Sequence, residues 1–331
     1  MIRVGLLGAG RIGQIHGRNV AASHEAQLVA VADAIPAAAR ALAKLTQATS
    51  RGVEEIIAAK DVDAVMICSP TDTHADLIEM AAKAGKAIFC EKPIDLSAAR
   101  VARTLRRADA SGVPLMIGFN RRFDPNFAAL KKRLGAGAVG EVEIVTILSR
   151  DPSPPPLDYV RRSGGLFRDM MIHDLDMARF LLGEDPVELQ AMGSSLVDPE
   201  IGKVGDVDTA VVQMRTSSGK LCQISNSRRA TYGYDQRIEV HGSKGLLRAG
   251  NVHETTVEQA GAKGFATDPI QNFFLERYAS AYRLELASFI LTIKSGRAPS
   301  PSGHDGLKAL LLADAATGSA QSGKPVRVKL G

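Results

Sequence analysis

MIRVGLLGAGRIGQIHGRNVAASHEAQLVAVAD, residues 1–33, decides the fold of the first part of the chain. A short apolar run, 4–7, ends on Gly8-Ala9-Gly10-Arg11-Ile12-Gly13, and a helical pattern over 11–22 opens on the same residues. A second apolar run, 28–32, leads into Asp33. The G-x-G-x-x-G spacing alone is weak, because a chain with 31 glycines matches it by accident. Its context gives it weight: a strand before, a helix after, and an acidic residue about 20 positions past the last glycine. In that setting Gly8 permits a tight turn, Gly10 lets the backbone approach a pyrophosphate, and Gly13 allows close helix–sheet contact. The phosphates then sit against free N–H groups at the helix start. Asp33 has two readings, a cap ahead of Pro36 and an acceptor for the adenosine ribose hydroxyls. The second repels a 2′-phosphate and favours NAD over NADP.

Outward from this unit the alternation continues. Apolar runs at 64–68, 87–90 and 114–118 are short enough for buried parallel strands, with helical segments at 36–45, 53–59, 74–84 and 97–110 between them. Pro36 near a helix start, Ser97 as an N-cap and Gly85 past a helix end punctuate them. The pattern predicts an N-terminal Rossmann domain, a doubly wound parallel sheet, over 1–121. Beyond Arg122 it changes. A helix at 126–134, a strand at 142–149 and a loop with Pro152 and Pro154-Pro155-Pro156 precede a long helix over 166–182, ended by Gly183. Strands follow at 187–194, 209–215, 220–227, 236–241 and 246–249, with turns at Ser218-Gly219 and Gly242-Ser243-Lys244-Gly245 that predict hairpins. Helices at 276–293 and 305–322 lead to a last strand, 326–330. Residues 122–331 are expected to form a C-terminal α+β domain with a large open, mainly antiparallel sheet, making the chain α/β.

The bulk composition supports two globular domains: 331 residues, 45% hydrophobic and 23% charged. No apolar run approaches the ~18 residues of a membrane span. The chain enters a strand at once and then meets glycines, which argues against a secretory signal. Cys68, Cys90 and Cys222 show no C-x-x-C spacing, which points to a reducing compartment, the cytoplasm by default. The net charge of +5 invites a nucleic-acid reading. However, Arg106-Arg107, Lys131-Lys132-Arg133, Arg161-Arg162 and Arg228-Arg229 are short scattered clusters, and there is no tryptophan among them. They read as solvated surface charge, with no nucleic acid and no membrane as partner.

Two places carry candidate chemistry. Lys92 lies just past the strand 87–90, where ligands bind in an open α/β sheet, although a solvated surface lysine fits a lone Lys equally well. Asp169, His173 and Asp176, spaced i, i+4, i+7 within apolar neighbours, would share one face of a buried helix. A buried carboxylate–histidine pair serves either as structure or as a proton-transfer pair. A metal centre is the weaker third reading, because no other His or Cys has ligand spacing and hydride transfer needs no metal.

The combination of Gly8-Ala9-Gly10-Arg11-Ile12-Gly13, Glu91-Lys92-Pro93, and Gly164-Gly165 followed by Asp169 and His173 resembles the Gfo/Idh/MocA oxidoreductases over essentially the whole chain. Pro70-Thr71-Asp72-Thr73-His74, Gly118-Phe119-Asn120-Arg121-Arg122-Phe123-Asp124, Tyr232-Gly233-Tyr234-Asp235 and Ile238-Glu239-Val240-His241-Gly242-Ser243-Lys244-Gly245 bring the resemblance closest to the inositol dehydrogenases in that family. The resemblance implies NAD as cofactor, held by Gly8, Ala9, Gly10, Arg11, Ile12, Gly13, Asp33, Ser69, Pro70, Thr71, His74, Glu91 and Lys92. It implies Lys92, Asp169 and His173 as the catalytic group, no metal, and a polyol substrate, myo-inositol, touched by Arg122, Asp151 and Tyr234. Phe273 and Phe274 stand where some relatives carry a tryptophan. The resemblance further implies a homotetramer formed through the open face of the second sheet. His173 would then take the hydroxyl proton, Asp169 would orient the imidazole, and the Lys92 ammonium would stabilise developing alkoxide charge. A dehydrogenase of another polyol or aldose is the alternative within this chemistry. A cofactor-binding sensor is the alternative outside it, and a sensor has no need of a proton acceptor.

Overall fold

The computed structural model describes residues 1–330. Packing gathers them into two units, Met1–Phe123 with Ala281–Lys308, and Asp124–Ser280 with the residues from Ala309 onward. The boundary expected after 121 falls close to Phe123. The expectation of one unbroken second domain does not hold, because Ala281–Lys308 packs with the first unit. The reason is apolar: Leu286, Phe289 and Ile290 belong to the same buried core as Val4, Leu6, Phe89 and Met116.

In the first unit six parallel strands, β1 (Ile2–Leu7), β2 (Ala26–Ala32), β3 (Thr49–Ser50), β4 (Ala64–Ile67), β5 (Ala87–Cys90) and β6 (Leu115–Ile117), lie in the order β3-β2-β1-β4-β5-β6. This is the Rossmann order, which reverses between β1 and β4. Strands β4 and β5 are buried at every position, as continuous apolar runs in a parallel sheet require. Helix Arg11–Ala21 buries Gly13, His16, Gly17 and Val20, an i, i+3, i+4, i+7 stripe against the sheet. Pro36 opens helix Pro36–Thr46, and the Ser97 hydroxyl caps helix Ala98–Ser111 by accepting the Arg100 N–H.

In the second unit β7 (Val142–Arg150), β8 (Pro186–Ser194), β9 (Thr209–Thr216), β10 (Leu221–Ser227), β11 (Asp235–Gly242) and β12 (Gly245–Ala249) join a short C-terminal strand in one seven-stranded sheet. A separate hairpin, β13 (Glu258–Gly261) with β14 (Gly264–Thr267), precedes that strand, β15 (Val326–Arg327), in the chain. The sheet order is β12-β11-β7-β10-β9-β8-β15, antiparallel except for the parallel pair β7–β10. Both predicted hairpins form, β9–β10 and β11–β12. Strand β9 alternates buried and exposed residues along most of its length, leaving one face of the sheet open.

Three local expectations change. The proline-rich loop runs into a helix, Leu157–Ser163. The helix read over 276–293 is two, Phe274–Arg277 and Ala279–Ser295. The helix read over 166–182 is also two, Gly165–Asp169 and Ile172–Leu182. At the break the Met171 N–H reaches back five residues to the Leu166 carbonyl and the Asp174 N–H only three to Met171. One wide turn followed by one tight turn interrupts the regular ladder, so i, i+4 spacing no longer guarantees a common face.

Candidate active site

Each unit contributes its own cluster. In the first, Gly8 has φ +106°, and a Cβ there would stand 2.5 Å from the Cys68 carbonyl carbon and the Ser69 nitrogen. The loop after β1 therefore lies directly against the loop after β4, where the strand order reverses and ligands bind in this architecture. A Cβ at Gly13 would come within 2.0 Å of the Gly8 carbonyl oxygen. At Gly10 a Cβ meets nothing within 4 Å, and no side chain caps the helix that begins at Arg11. The backbone there fronts open space at a helix start with orphan N–H donors, an arrangement that fits a pyrophosphate. Ala9 is buried, Ile12 half-buried and Arg11 exposed.

Asp33 is half-buried at the end of β2. Its Oδ2 accepts the Ala9 N–H at 2.6 Å and its Oδ1 the Ile35 N–H at 2.8 Å. The carboxylate braces both the glycine loop and the turn before Pro36, and each oxygen retains acceptor capacity for a ribose hydroxyl. The donor and acceptor set of this cluster fits a dinucleotide.

Lys92 is half-buried just past β5, and its peptide bond to Pro93 is cis. The two residues expected beside it at the cofactor bond protein groups. The buried His74 has Nδ1 2.8 Å from the Pro93 carbonyl and Nε2 2.8 Å from the Ser69 carbonyl, tying the end of β4 to the Lys92-Pro93 turn. The Glu91 carboxylate turns inward, with Oε1 2.8 Å from Nε2 of the fully buried His16. Pro70 precedes helix Thr71–Lys83, with the Ser69 and Thr73 hydroxyls 2.6 Å apart. Arg122, also buried, lies in the 3₁₀ turn Asn120–Phe123 with its guanidinium 3.1 Å from Asp305 Oδ1.

In the second unit the sheet topology gathers the candidates. The parallel strands β7 and β10 end side by side, with Arg150 opposite Ser227, and β11 starts there with Asp235 opposite Arg150. Asp151, Arg228 and Tyr234 therefore emerge at one end of the sheet. The Asp151 N–H donates to the Ser227 carbonyl at 3.0 Å. Tyr234 is buried with its ring edge-on to Tyr278, centroids 5.9 Å apart. Phe273 and Phe274 pack as a tilted pair at 4.6 Å.

Asp169 ends the first of the two short helices. Its Oδ1 accepts the Tyr159 hydroxyl at 2.8 Å and its Oδ2 the Arg228 guanidinium at 3.2 Å. His173 is half-buried in the first turn of Ile172–Leu182. That helix is fixed to the sheet by the fully buried Asp174, whose carboxylate accepts from Ser149 Oγ at 2.8 Å and Asn226 Nδ2 at 2.9 Å. Asp176, expected on the face of Asp169 and His173, is buried and lies 3.9 Å from Arg179. Tyr159, Arg228 and His16 were not read from the sequence. The Arg228-Arg229 doublet, read as solvated charge, is half wrong: Arg229 is exposed but Arg228 is 2% exposed. No cluster of three or more His, Cys, Asp or Glu able to hold a metal occurs among the described residues. None of the described helices is long and apolar enough to cross a membrane.

Two family models match this chain: an oxidoreductase family with an NAD-binding Rossmann fold over residues 2–119, and the GFO/IDH/MocA C-terminal domain over residues 127–248. The chain is 56% identical over 327 residues to the inositol 2-dehydrogenase of Rhizobium meliloti, covering 99% of both. It superposes on the crystal structure of a myo-inositol dehydrogenase from Corynebacterium glutamicum with a TM-score of 0.96 at 45% identity, covering 99% of each chain. A scyllo-inositol dehydrogenase from Lactobacillus casei, solved with NAD(H) and scyllo-inositol, matches with a TM-score of 0.92 at 29% identity, again over 99% of each. With both family models matched and a 56% identical relative covered along 99% of both chains, this chain belongs to the Gfo/Idh/MocA family of NAD-binding oxidoreductases.

Proposed function

We propose that this protein oxidises myo-inositol to 2-keto-myo-inositol with NAD, in inositol catabolism. The observation that carries the proposal is the 56% identity to an inositol 2-dehydrogenase along the whole of both chains. NAD, when bound, supplies the hydride acceptor at its nicotinamide ring. The chain's own residues do the rest. The glycine loop and the start of helix Arg11–Ala21 bind the pyrophosphate, and Asp33 takes the ribose hydroxyls. His173 accepts the proton of the reacting hydroxyl, Asp169 stabilises the resulting imidazolium, and the Lys92 ammonium offsets negative charge on the same oxygen. Arg122, Asp151 and Tyr234 hold the remaining ring hydroxyls. Ser69, Pro70, Thr71 and the turns held by His74 and Glu91 shape the nicotinamide side.

The protein works in the cytoplasm, in keeping with three free, buried cysteines. It assembles as a homotetramer through the open face of the second sheet. Ile144, Leu221 and Leu246 are exposed there, on neighbouring strands and in register with His241 or with one another.

The test is NADH formation at 340 nm with inositol isomers, aldoses and short-chain alcohols, using NAD and NADP in parallel. Myo-inositol should be oxidised well and short-chain alcohols not at all, because a site built to bond hydroxyls rejects analogues lacking them. NAD should exceed NADP at least tenfold in kcat/KM, about 1.4 kcal/mol. Turnover of scyllo-inositol or an aldose without myo-inositol would replace the substrate, and preference for NADP would remove the role given to Asp33.

A further inference from the structure

Arg228 is the largest side chain among those almost wholly withdrawn from solvent, and it carries a charge that cannot be discharged. It follows β10, anchored by its own N–H to the Asp208 carbonyl at 2.8 Å. Its guanidinium reaches Asp169 Oδ2 at 3.2 Å. A second carboxylate, Asp206, stands at the other end of the same short helix, where its Oδ1 accepts the Leu166 N–H at 3.0 Å. Burial pushes the Asp206 carboxyl up; the N–H groups of Leu166 and Val207 and the charge of Arg228 pull it down, and Asp169 adds to the rise. Among the groups facing Asp169 are the Tyr159 hydroxyl from helix Leu157–Ser163, Arg228 from the end of β10, and Asp206 from the turn before β9. On its own segment the adjacent Arg168 is engaged elsewhere, with Asp314 at 2.6 Å.

A buried fixed cation on a carboxylate does two things. It keeps the carboxylate ionised where burial alone would neutralise it, and it cancels part of that charge as felt by neighbouring groups. We infer that Arg228 is a positioning residue for proton transfer: it holds Asp169 ionised and in place, and by offsetting its charge sets the pH at which His173 begins to accept the substrate proton. The inference rests on the reading of Asp169 and His173 as the proton-transfer pair. Stabilising the helix end alone would not require the guanidinium's charge to act on the pH dependence.

The experiment is the pH profile of kcat/KM for myo-inositol oxidation, with thermal unfolding of each variant beside it. In Arg228→Gln the local charge becomes more negative, so an imidazolium is favoured and the loss of rate at low pH should move upward by about half a pH unit or more. The kcat should fall roughly tenfold or more. Arg228→Lys, which keeps the charge and loses the fork, should hold the acid limb where it is in the natural protein while kcat falls. An acid limb that does not move in Arg228→Gln overturns the inference, whatever happens to stability. If the glutamine variant does not fold, the lysine variant decides: a displaced limb or an unchanged kcat overturns the inference. His173→Asn separates the two levels, since it should lower kcat by roughly 10²–10⁴. Near-normal turnover in that variant sinks the proton-transfer reading itself. A lost turnover there with an unmoved limb in Arg228→Gln sinks only the part given to Arg228.

Discussion

A Cβ at Gly10 meets no atom within 4 Å, whereas one at Gly13 would stand 2.0 Å from the Gly8 carbonyl oxygen. The same motif thus contains a glycine kept free for a ligand and a glycine demanded by the fold. Gly10→Ala should leave the unfolding temperature of the NAD-free protein nearly unchanged and abolish most of the stabilisation that added NAD confers. A Gly10→Ala protein that gains as much stability from NAD as the natural one would mean that the pyrophosphate does not approach this backbone. The motif's spacing made this cluster legible, because each glycine acts through local backbone geometry. Arg228 was illegible for the opposite reason. Its partners, Asp169, the Asp208 carbonyl and the neighbouring Asp206, are all distant in sequence, and a doublet of arginines looks the same whether one of them is solvated or sealed in.

Strands β4 and β5 were readable as elements because both faces of a parallel sheet are covered, so their apolar runs are unbroken. Strand β3 was not, being two exposed residues that merely extend an edge. The break between Asp169 and His173 left no mark either, since Met170 and Met171 are good helix formers. A further element boundary is held by charge. Asp124 caps helix Pro125–Gly135 by accepting the Asn126 and Phe127 N–H groups, and it also pairs with Arg277, both side chains being at most 2% exposed. Arg277→Met strands that carboxylate without its counter-charge. The loss should be about 3–5 kcal/mol, read as a lower urea midpoint of the second unit. A loss under about 1 kcal/mol would show that the cap alone satisfies Asp124.

At the scale of the molecule, the buried Glu285 makes stability depend on pH. Burial and the neighbouring Glu91 hold the Glu285 carboxyl well above the usual glutamate range, and neither of its oxygens has a hydrogen-bond partner. A raised folded-state value means the native protein keeps a proton that the unfolded chain releases. Stability is therefore intact below the ordinary glutamate value and declines as pH rises toward the folded one. The decline approaches about 1.4 kcal/mol per pH unit while the two states differ by a full proton. Glu285→Gln removes that proton difference. Its unfolding midpoint should match the natural protein near pH 4 and exceed it increasingly toward pH 8; a gap constant with pH would show that Glu285 does not hold the proton.

Leu286, Phe289 and Ile290 complete the apolar core over the first sheet, and this has a consequence on the ribosome. The last strand of that sheet, Leu115–Ile117, is made roughly 170 residues before them, and at ~5–20 residues per second the interval is on the order of ten to thirty seconds. Throughout it the nascent chain carries Phe89 and Met116 without their cover. The second unit waits as well, since Ser319 supplies the hydroxyl that the Ala191 N–H bonds at 2.9 Å. N-terminal-first folding during synthesis, usual for two-domain chains, is opposed here by the order of the segments: the first unit closes only after Asp124–Ser280 of the second has been made.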